Sequence, residues 1–182
     1  MEVIKIVVFV TGLFFGIESS TIIAETTEVT INPNEKTIII QQKNLLAIYQ
    51  KEKDSLSIVE EFTHTYNSRT DWSTHLESFT EKSIEYTSSK EGSLNATIKL
   101  KYNSTKDLKV FAIDKNNEGM FSIINLPNWV LKTKDGKLNG NYWNFNADKT
   151  FSFSYNPVEK VPEKYTVNNT ILYTTWRNIS KK

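Results

Sequence analysis

One stretch of strict alternation in the middle of the chain constrains the fold more than any other feature. Between Leu94 and Tyr102, apolar residues occupy every second position and polar residues lie between them. This pattern is typical of a β-strand with one face in a core and the other in water. Shorter apolar runs separated by turn residues follow it. Because short strands joined by tight turns pair antiparallel, we predict an antiparallel sheet from Ser83 onward.

Turn signals divide the C-terminal half into further strands. The predicted strands span residues 108–113, 120–125, 129–133, 142–145, 150–155, 165–167 and 170–176. Asp135 and Gly136 carry the signal of a tight hairpin turn. The strand at 142–145 is expected to pair with the strand at 150–155 across the short connection between them.

The first part of the chain shows the spacing of helices instead. Asn32 followed by Pro33 is a typical helix start. In a helix that begins there, Ile38, Leu45 and Tyr49 would share one apolar face. We therefore predict a first helix over this segment.

Two further helices are predicted before the sheet. Ser57 and Glu60 have the spacing of a capping box, and Phe62 and Tyr66 lie on the apolar face that follows. Asp71 is a good N-cap for a short third helix. Helices followed by a meander of strands give an α+β fold. The expected architecture is N-terminal helices packed on a curved antiparallel β-sheet.

The N terminus has the pattern of a secretory signal peptide. A short start with one lysine precedes an apolar run at residues 6–16, and Ala24 follows as a candidate signal-peptidase site. The run is too short to span a bilayer as an ordinary helix. We therefore expect residues 1–24 to be removed and residues 25–182 to form a single domain. The mature protein would be secreted, with no stable membrane anchor.

Cysteine content and charge narrow the class of protein further. The chain contains no cysteine, and its formal net charge is +1. Small secreted animal proteins usually carry disulfides, so a cysteine-free exported chain favours a Gram-positive bacterial source. Binding of nucleic acid needs a strong basic surface, which this mixed charge distribution does not offer. Nucleic acid is therefore not an expected partner.

The segment from Ser57 to Tyr86 resembles the opening of NTF2-like domains. In that family a helix ends in a Tyr-Asn pair, an aspartate caps a short second helix, and a Phe-Thr or Phe-Ala step leads into the first strand. The corresponding residues here are Tyr66, Asn67, Asp71, Phe79 and Thr80. The resemblance implies a cone-shaped, cystatin-like α+β fold in which a curved sheet wraps a long helix. Some members of the family are enzymes with His/Asp pairs in the cone, and many are binding or assembly modules.

A second segment resembles a different family. Residues 138–153 are similar to the Gly-x-Trp and Asp-x-Thr-Phe strand pair of lipocalin-like barrels. This resemblance implies a small β-barrel that carries an apolar ligand. In those barrels the pattern normally opens the fold, whereas here too little chain follows it to close a barrel. We therefore rank this alternative second.

The candidate catalytic residues are the two histidines and a nearby aspartate. His64, His75 and Asp71 would form a polar cluster, and such groups in an NTF2-like cone do general acid–base work. The simpler interpretation is that Asp71 caps a helix and both histidines lie on the surface. The histidine spacing matches no metal signature, and the chain has no nucleophile-elbow motif. We predict neither a metal nor a cofactor.

Aromatic residues concentrate in the C-terminal half of the chain. The candidate ligand-binding residues are Trp129, Trp143, Tyr155 and Trp176. Exposed Trp and Tyr side chains on a sheet form platforms for glycans or apolar ligands and hot spots for protein partners. The alternative is that these side chains fill the core, since aromatic residues favour half-buried strand positions.

Taken together, these features favour a secreted bacterial domain that binds a partner and catalyses no reaction. The expected partner is a protein or a glycan at the cell surface. The alternatives are an NTF2-like enzyme that uses Asp71 with a histidine, and a lipocalin-like carrier of a small apolar ligand.

Overall fold

The structure is a computed structural model, and it describes residues 14, 15, 17, 20–49, 51, 54–68, 70–89, 91–125, 131–156, 161 and 163–181. These residues form an α+β fold with ten strands in two antiparallel sheets. The predicted α+β class is therefore confirmed. Both sheets are open within this part of the chain, which thus contains no closed barrel of the lipocalin-like kind.

The order of helices and strands along the chain agrees only in part with the prediction. The strands are β1 Ile22–Asn32, β2 Thr37–Tyr49, β3 Glu81–Ser88, β4 Leu94–Lys101, β5 Ile113–Lys115, β6 Phe121–Ile124, β7 Lys137–Asn139, β8 Tyr142–Phe145, β9 Phe151–Tyr155 and β10 Thr166–Asn168. The α-helices are α1 Ser55–Asn67 and α2 Thr170–Ile179, and the 3₁₀ helices are Thr74–Leu76 and Thr105–Phe111. The large sheet has the strand order β3-β4-β2-β1-β9, with β10 beside the end of β2, and the small sheet has the order β5-β6-β8-β7.

The long hairpin of β1 and β2 replaces the predicted first helix. Asn32 caps no helix, since its Oδ1 accepts hydrogen bonds from the backbone N–H groups of Asn34 and Glu35 in the hairpin turn, at 3.1 and 3.2 Å. Ile38 and Leu45 are both buried in the main core although Leu45 is seven positions after Ile38. In a regular strand they would face opposite sides, so the strand inverts between them. Residues seven positions apart also lie on one face of an α-helix, so the sequence pattern predicted a helix here. That prediction is wrong.

The inversion affects β1 and β2 together. The core-facing residues are Ile22, Ala24, Thr27, Val29 and Ile31 in β1 and Ile38, Ile40, Gln42, Leu45 and Ala47 in β2. Asn44 sits at the change of face with a φ of 52°, in the left-handed region that Asn tolerates better than most residues. Its backbone N–H donates to Asn95 Oδ1 at 2.8 Å, and its Nδ2 donates to Glu25 Oε2 at 2.7 Å.

Substitutions of Asn44 should show how much its backbone conformation and its side-chain hydrogen bonds contribute to stability. We expect Asn44→Ala to lower the free energy of unfolding by about 1–2 kcal/mol, because alanine is strained at this φ and lacks the side-chain hydrogen bonds. Asn44→Gly removes the same bonds but relieves the backbone, so its loss should be smaller. Urea denaturation of both variants measures the difference. A glycine variant less stable than the alanine variant would contradict this account of the backbone.

The helices confirm one prediction and correct three others. The second predicted helix is α1, but it begins at Ser55 and not at Ser57. The Ser57 hydroxyl group donates to the Asp54 carbonyl oxygen at 2.7 Å and so forms no capping box with Glu60. The predicted third helix is only the 3₁₀ helix Thr74–Leu76, which is capped by the Ser73 side chain and not by Asp71. The predicted strand at 108–113 falls mostly in the second 3₁₀ helix, whose start is fixed by a capping box of Ser104 and Asp107. The predicted strand at 170–176 is wrong as well, because α2 occupies that segment.

The C-terminal strands pair differently from the prediction. β8 lies between β6 and β7 in the small sheet, whereas β9 pairs with β1 in the large sheet. The tight hairpin turn falls at Gly140, which has a φ of 56°, and not at Asp135 and Gly136. Of the predicted strand at 129–133, positions 129 and 130 lie outside the described residues, and Lys132 makes a single bridge to Ser154.

Several residues of the predicted signal peptide are part of the folded structure. Phe14 is 0% exposed and belongs to the main core, and Phe15 is nearly buried. The predicted cleavage residue Ala24 lies inside β1 and is paired with Leu45. Residues 1–13 lie outside the described part of the chain. No helix among the described residues is long and apolar enough to cross a membrane.

Candidate functional site

The small sheet has one apolar face and one polar face. Its apolar side chains enter the main core, and the most buried of them are Ile113, Phe121, Ile123 and Phe145. Successive side chains of a strand point to opposite faces. The residues between these positions therefore lie on the other face, which is exposed or half-buried.

Strand register assembles the polar face from distant parts of the chain. Asp114 lies opposite Ser122, Ser122 lies opposite Asn144, and Asn144 lies opposite Lys137. These pairings form one row across all four strands of the small sheet. Tyr142 and Asn139 lie opposite each other in the neighbouring row. Side chains in adjacent rows of one face are within reach of a single ligand.

A groove of about 450 Å³ runs over this polar face. We call it the sheet groove. Its lining residues are Ala112, Asp114, Lys115, Asn116, Ser122, Asn139, Tyr142 and Asn144. Tyr142 is 49% exposed, so much of its side chain is open to solvent. A volume of this size is in the range of small-molecule binding sites.

Hydrogen bonds hold one wall of the sheet groove in place. The Oδ1 atom of Asn116 accepts hydrogen bonds from the backbone N–H groups of Glu118 and Met120, at 3.0 and 2.9 Å. Its Nδ2 then donates to Asn144 Oδ1 at 3.3 Å. The loop after β5 therefore orients an amide that belongs to the floor of the groove. Such fixed polar groups need less ordering when a ligand binds.

The charges of the sheet groove largely compensate each other. Asp114 forms an ion pair with Lys109 at 3.1 Å and accepts a hydrogen bond from the backbone N–H of Lys115 at 2.8 Å. The hydrogen bond from the Lys109 side chain, and then that from the Lys115 backbone, lower the pKa of the Asp114 carboxyl group. Asp114 thus stays ionised and paired at neutral pH, and Lys115 adds an opposite charge beside it.

The sheet groove offers hydrogen bonding and no evident catalytic group. Asn amides and the Ser and Tyr hydroxyl groups each provide both donors and acceptors. The groove lining contains no histidine or cysteine, and its carboxylate is paired with a lysine. Within the described part of the chain, no group of three or more His, Asp or Glu side chains could hold a metal ion.

The candidate catalytic residues lie elsewhere. His64 is on an exposed position of α1, where its Nδ1 is 3.5 Å from Ser68 Oγ. Asp71 and His75 are exposed in and beside the short 3₁₀ helix. Because all three side chains are open to solvent, they line no closed cavity. The structure thus gives no buried acid–base site at these residues.

The aromatic candidates lie in or against the core. Tyr155 is buried in β9, and burial raises the pKa of its phenol well above the ordinary value. Trp143 and Trp176 are half-buried and pack on the main core. The Trp143 indole also donates to Asn125 Oδ1 at 3.2 Å. Trp129 lies outside the described residues.

Comparison with known proteins adds no assignment. Neither a protein-family model, nor a curated protein, nor a solved structure matches the chain. The sheet groove therefore has to be interpreted from its own chemistry.

Proposed function

We propose that this protein is a non-catalytic binding domain that acts at or outside the surface of a Gram-positive bacterial cell, and that the sheet groove binds a glycan there. The observation that carries the proposal is the position of the exposed Tyr142 ring beside the amides of Asn139 and Asn144. A sugar presents an apolar C–H face and a rim of hydroxyl groups. An aromatic ring matches the first, and neutral amides match the second.

The charge of the groove supports a neutral ligand. Asp114 is already paired with Lys109, and Lys115 lies beside it. A strongly charged ligand would have to compete with the Asp114–Lys109 ion pair, whereas sugar hydroxyl groups can bind without disturbing it. A ligand would bind these exposed groups through hydrogen bonds, some of them through water molecules, and we expect the affinity of each site to be modest.

An NTF2-like or cystatin-like relationship remains part of this proposal. Its support is the packing of α1 on the large sheet, where Phe62 contacts the Tyr86 ring edge-to-face at 5.5 Å between ring centroids. The exposed positions of His64, Asp71 and His75 favour the binding role over the enzymatic one.

Binding of neutral oligosaccharides tests the proposed function. Titration of the full chain with a panel built from hexoses and N-acetylhexosamines should give saturable binding by calorimetry or by shifts of Asn side-chain NMR signals. Tyr142→Ala should weaken that binding about tenfold, because the ligand loses the apolar area that the ring covers as well as a stacking contribution of about 0.5–1.5 kcal/mol, and about 1.4 kcal/mol in total corresponds to a factor of ten. The proposal fails if no oligosaccharide binds, or if the variant binds as well as the original protein.

A control variant on the same hairpin shows whether weaker binding is caused by the loss of a groove side chain or by a disturbed hairpin. Leu138 lies on the same β7–β8 hairpin, is 50% exposed, and is paired with Trp143 on the opposite face. Leu138→Ala removes a comparable amount of exposed surface away from the groove. We expect it to leave oligosaccharide binding within about twofold, as is usual for exposed positions outside a contact surface.

A further inference from the structure

The apolar run at the N terminus ends in the core of the domain. Phe14 is fully buried, and its ring lies 6.3 Å from that of Phe111. Phe15 stacks on Trp72 at 5.0 Å between ring centroids. The backbone N–H of Ser73 donates to the Phe14 carbonyl oxygen at 2.7 Å. Side chains and backbone of this segment are therefore held by the two 3₁₀ helices and their flanks.

A second set of contacts fixes the chain just before β1. The carboxylate of Glu61 on α1 accepts hydrogen bonds from the Thr21 backbone N–H at 3.1 Å and from its hydroxyl group at 2.8 Å. The Ser20 hydroxyl group also donates to Glu61. Hydrogen bonds to a charged acceptor are stronger than those between neutral groups. We call this set of contacts the Glu61 clamp.

The first residues of β1 complete the attachment. Ile22 and Ala24 are buried in the main core, opposite Ala47 and Leu45 of β2. The Thr21 carbonyl oxygen accepts a hydrogen bond from the Ile48 backbone N–H at 2.8 Å. Removal of residues 1–24 would leave the Glu61 carboxylate without these donors and would expose the edge of β2 from Leu45 to Ala47.

We propose that residues 14–24 belong to the mature folded domain and are not part of a removed leader. Two independent observations carry the proposal, namely the burial of Phe14 and the Glu61 clamp. Glycan binding is independent of it, because neither set of contacts touches the sheet groove, whereas export of the protein would then not involve cleavage after Ala24. Cleavage after Ala24 would remove Ile22 and Ala24, whose side chains are buried beside β2.

The mass of the mature protein tests this proposal directly. The full chain is produced in a Gram-positive secretion host, and intact-mass and N-terminal peptide measurements are made on folded protein from the medium and the cells. A first residue at or before Phe14 is expected, whether or not a shorter leader has been removed. A folded mature protein that begins at Glu25, or at any residue after Phe14, overturns the proposal. Oligosaccharide binding is measured on the same preparation, so the two proposals can fail separately.

Proteolysis of matched variants tests the Glu61 clamp. Glu61→Ala should raise the rate of cleavage within residues 14–24 about tenfold or more, because the segment loses its charged acceptor. Glu60→Ala changes the exposed neighbour on the same helix and should leave the rate unchanged. Glu61→Gln, which keeps the side-chain size, replaces the alanine variant if that variant does not fold. Immediate cleavage of this segment in the unaltered protein, or equal rates for the Glu60 and Glu61 variants, overturns the proposal.

Discussion

Replacement of Phe145 by alanine is expected to lower the free energy of unfolding by about 3–5 kcal/mol. Phe145 is 0% exposed and is the last residue of β8 in the small sheet. Its ring stacks on Phe151 at 4.5 Å and lies 6.1 Å from Phe153, and both of these residues belong to β9 in the large sheet. The ring thus joins the cores of the two sheets, and alanine would leave a cavity where they meet.

Urea denaturation and thermal unfolding measure this effect. For a protein of this size, the loss corresponds to a fall in Tm of roughly 10 °C. Phe145→Leu keeps much of the buried volume and should cost clearly less. Tyr142→Ala, on the exposed face of the same strand, should change stability by less than about 0.5 kcal/mol. A loss below about 1 kcal/mol for the alanine variant would show that the two sheets do not depend on this ring.

A side chain at Gly136 should be strongly destabilising for a related reason. A Cβ atom there would lie 2.7 Å from Cε1 and 3.0 Å from Cζ of Phe145, and 3.1 Å from Cγ2 of Thr133. The buried ring has little room to move. We expect Gly136→Ala to cost about 1–3 kcal/mol through overpacking, and Gly136→Val to cost more.

A double-mutant cycle identifies the clash as the cause. Phe145→Leu opens space beside Gly136, so Gly136→Ala should cost less in that background than in the original protein. Gly140→Ala is the control, because Gly140 has no atom within 4 Å of the new Cβ and only its φ of 56° is strained. Its cost should be the same in both backgrounds. Equal costs of Gly136→Ala in both backgrounds would contradict the role given to the ring.

Gly136 is required by the structure, but not for the hairpin turn that the Asp135-Gly136 pair predicted. Asp-Gly pairs are common in tight hairpin turns, but here the glycine serves the close approach of Phe145. The real hairpin turn uses Gly140. Sequence alone cannot separate the two reasons for a glycine, because the approaching ring comes from a different strand.

The strands that obey a single local pattern were predictable. The alternation from Leu94 onward gave β4 almost to the residue, since the strand keeps one face buried along its whole length. β2 was not predictable in the same way, because its buried face changes at Asn44. The helix α2 was missed because its β-branched residues favour strands. Asn168 accepts hydrogen bonds at its start, and packing of Leu172 and Thr175 decides the outcome.

The candidate site was harder to predict from the sequence than the fold. Asp114, Ser122 and Asn144 are ordinary polar residues in the sequence, and each by itself is typical of a solvated strand face. Only the register of β5, β6 and β8 brings them into one row. The one available signal was Tyr142, an aromatic residue beside the glycine and asparagines of a turn. Among the aromatic residues predicted to bind a ligand, Tyr155 belongs to the core and Trp143 packs against it.

The paired inversion at Glu25 and Asn44 has a consequence for how this chain avoids misfolding. A uniform hairpin can slide by two residues and still present the same side chains to the interior. In this hairpin, a shift of the register in either direction would place the inversion of one strand beside a regular stretch of the other. Apolar residues of one strand would then lie opposite polar residues of the other. A single alignment of β1 and β2 therefore satisfies the whole length of the pair, and it fixes the register against which β4 and β9 are paired.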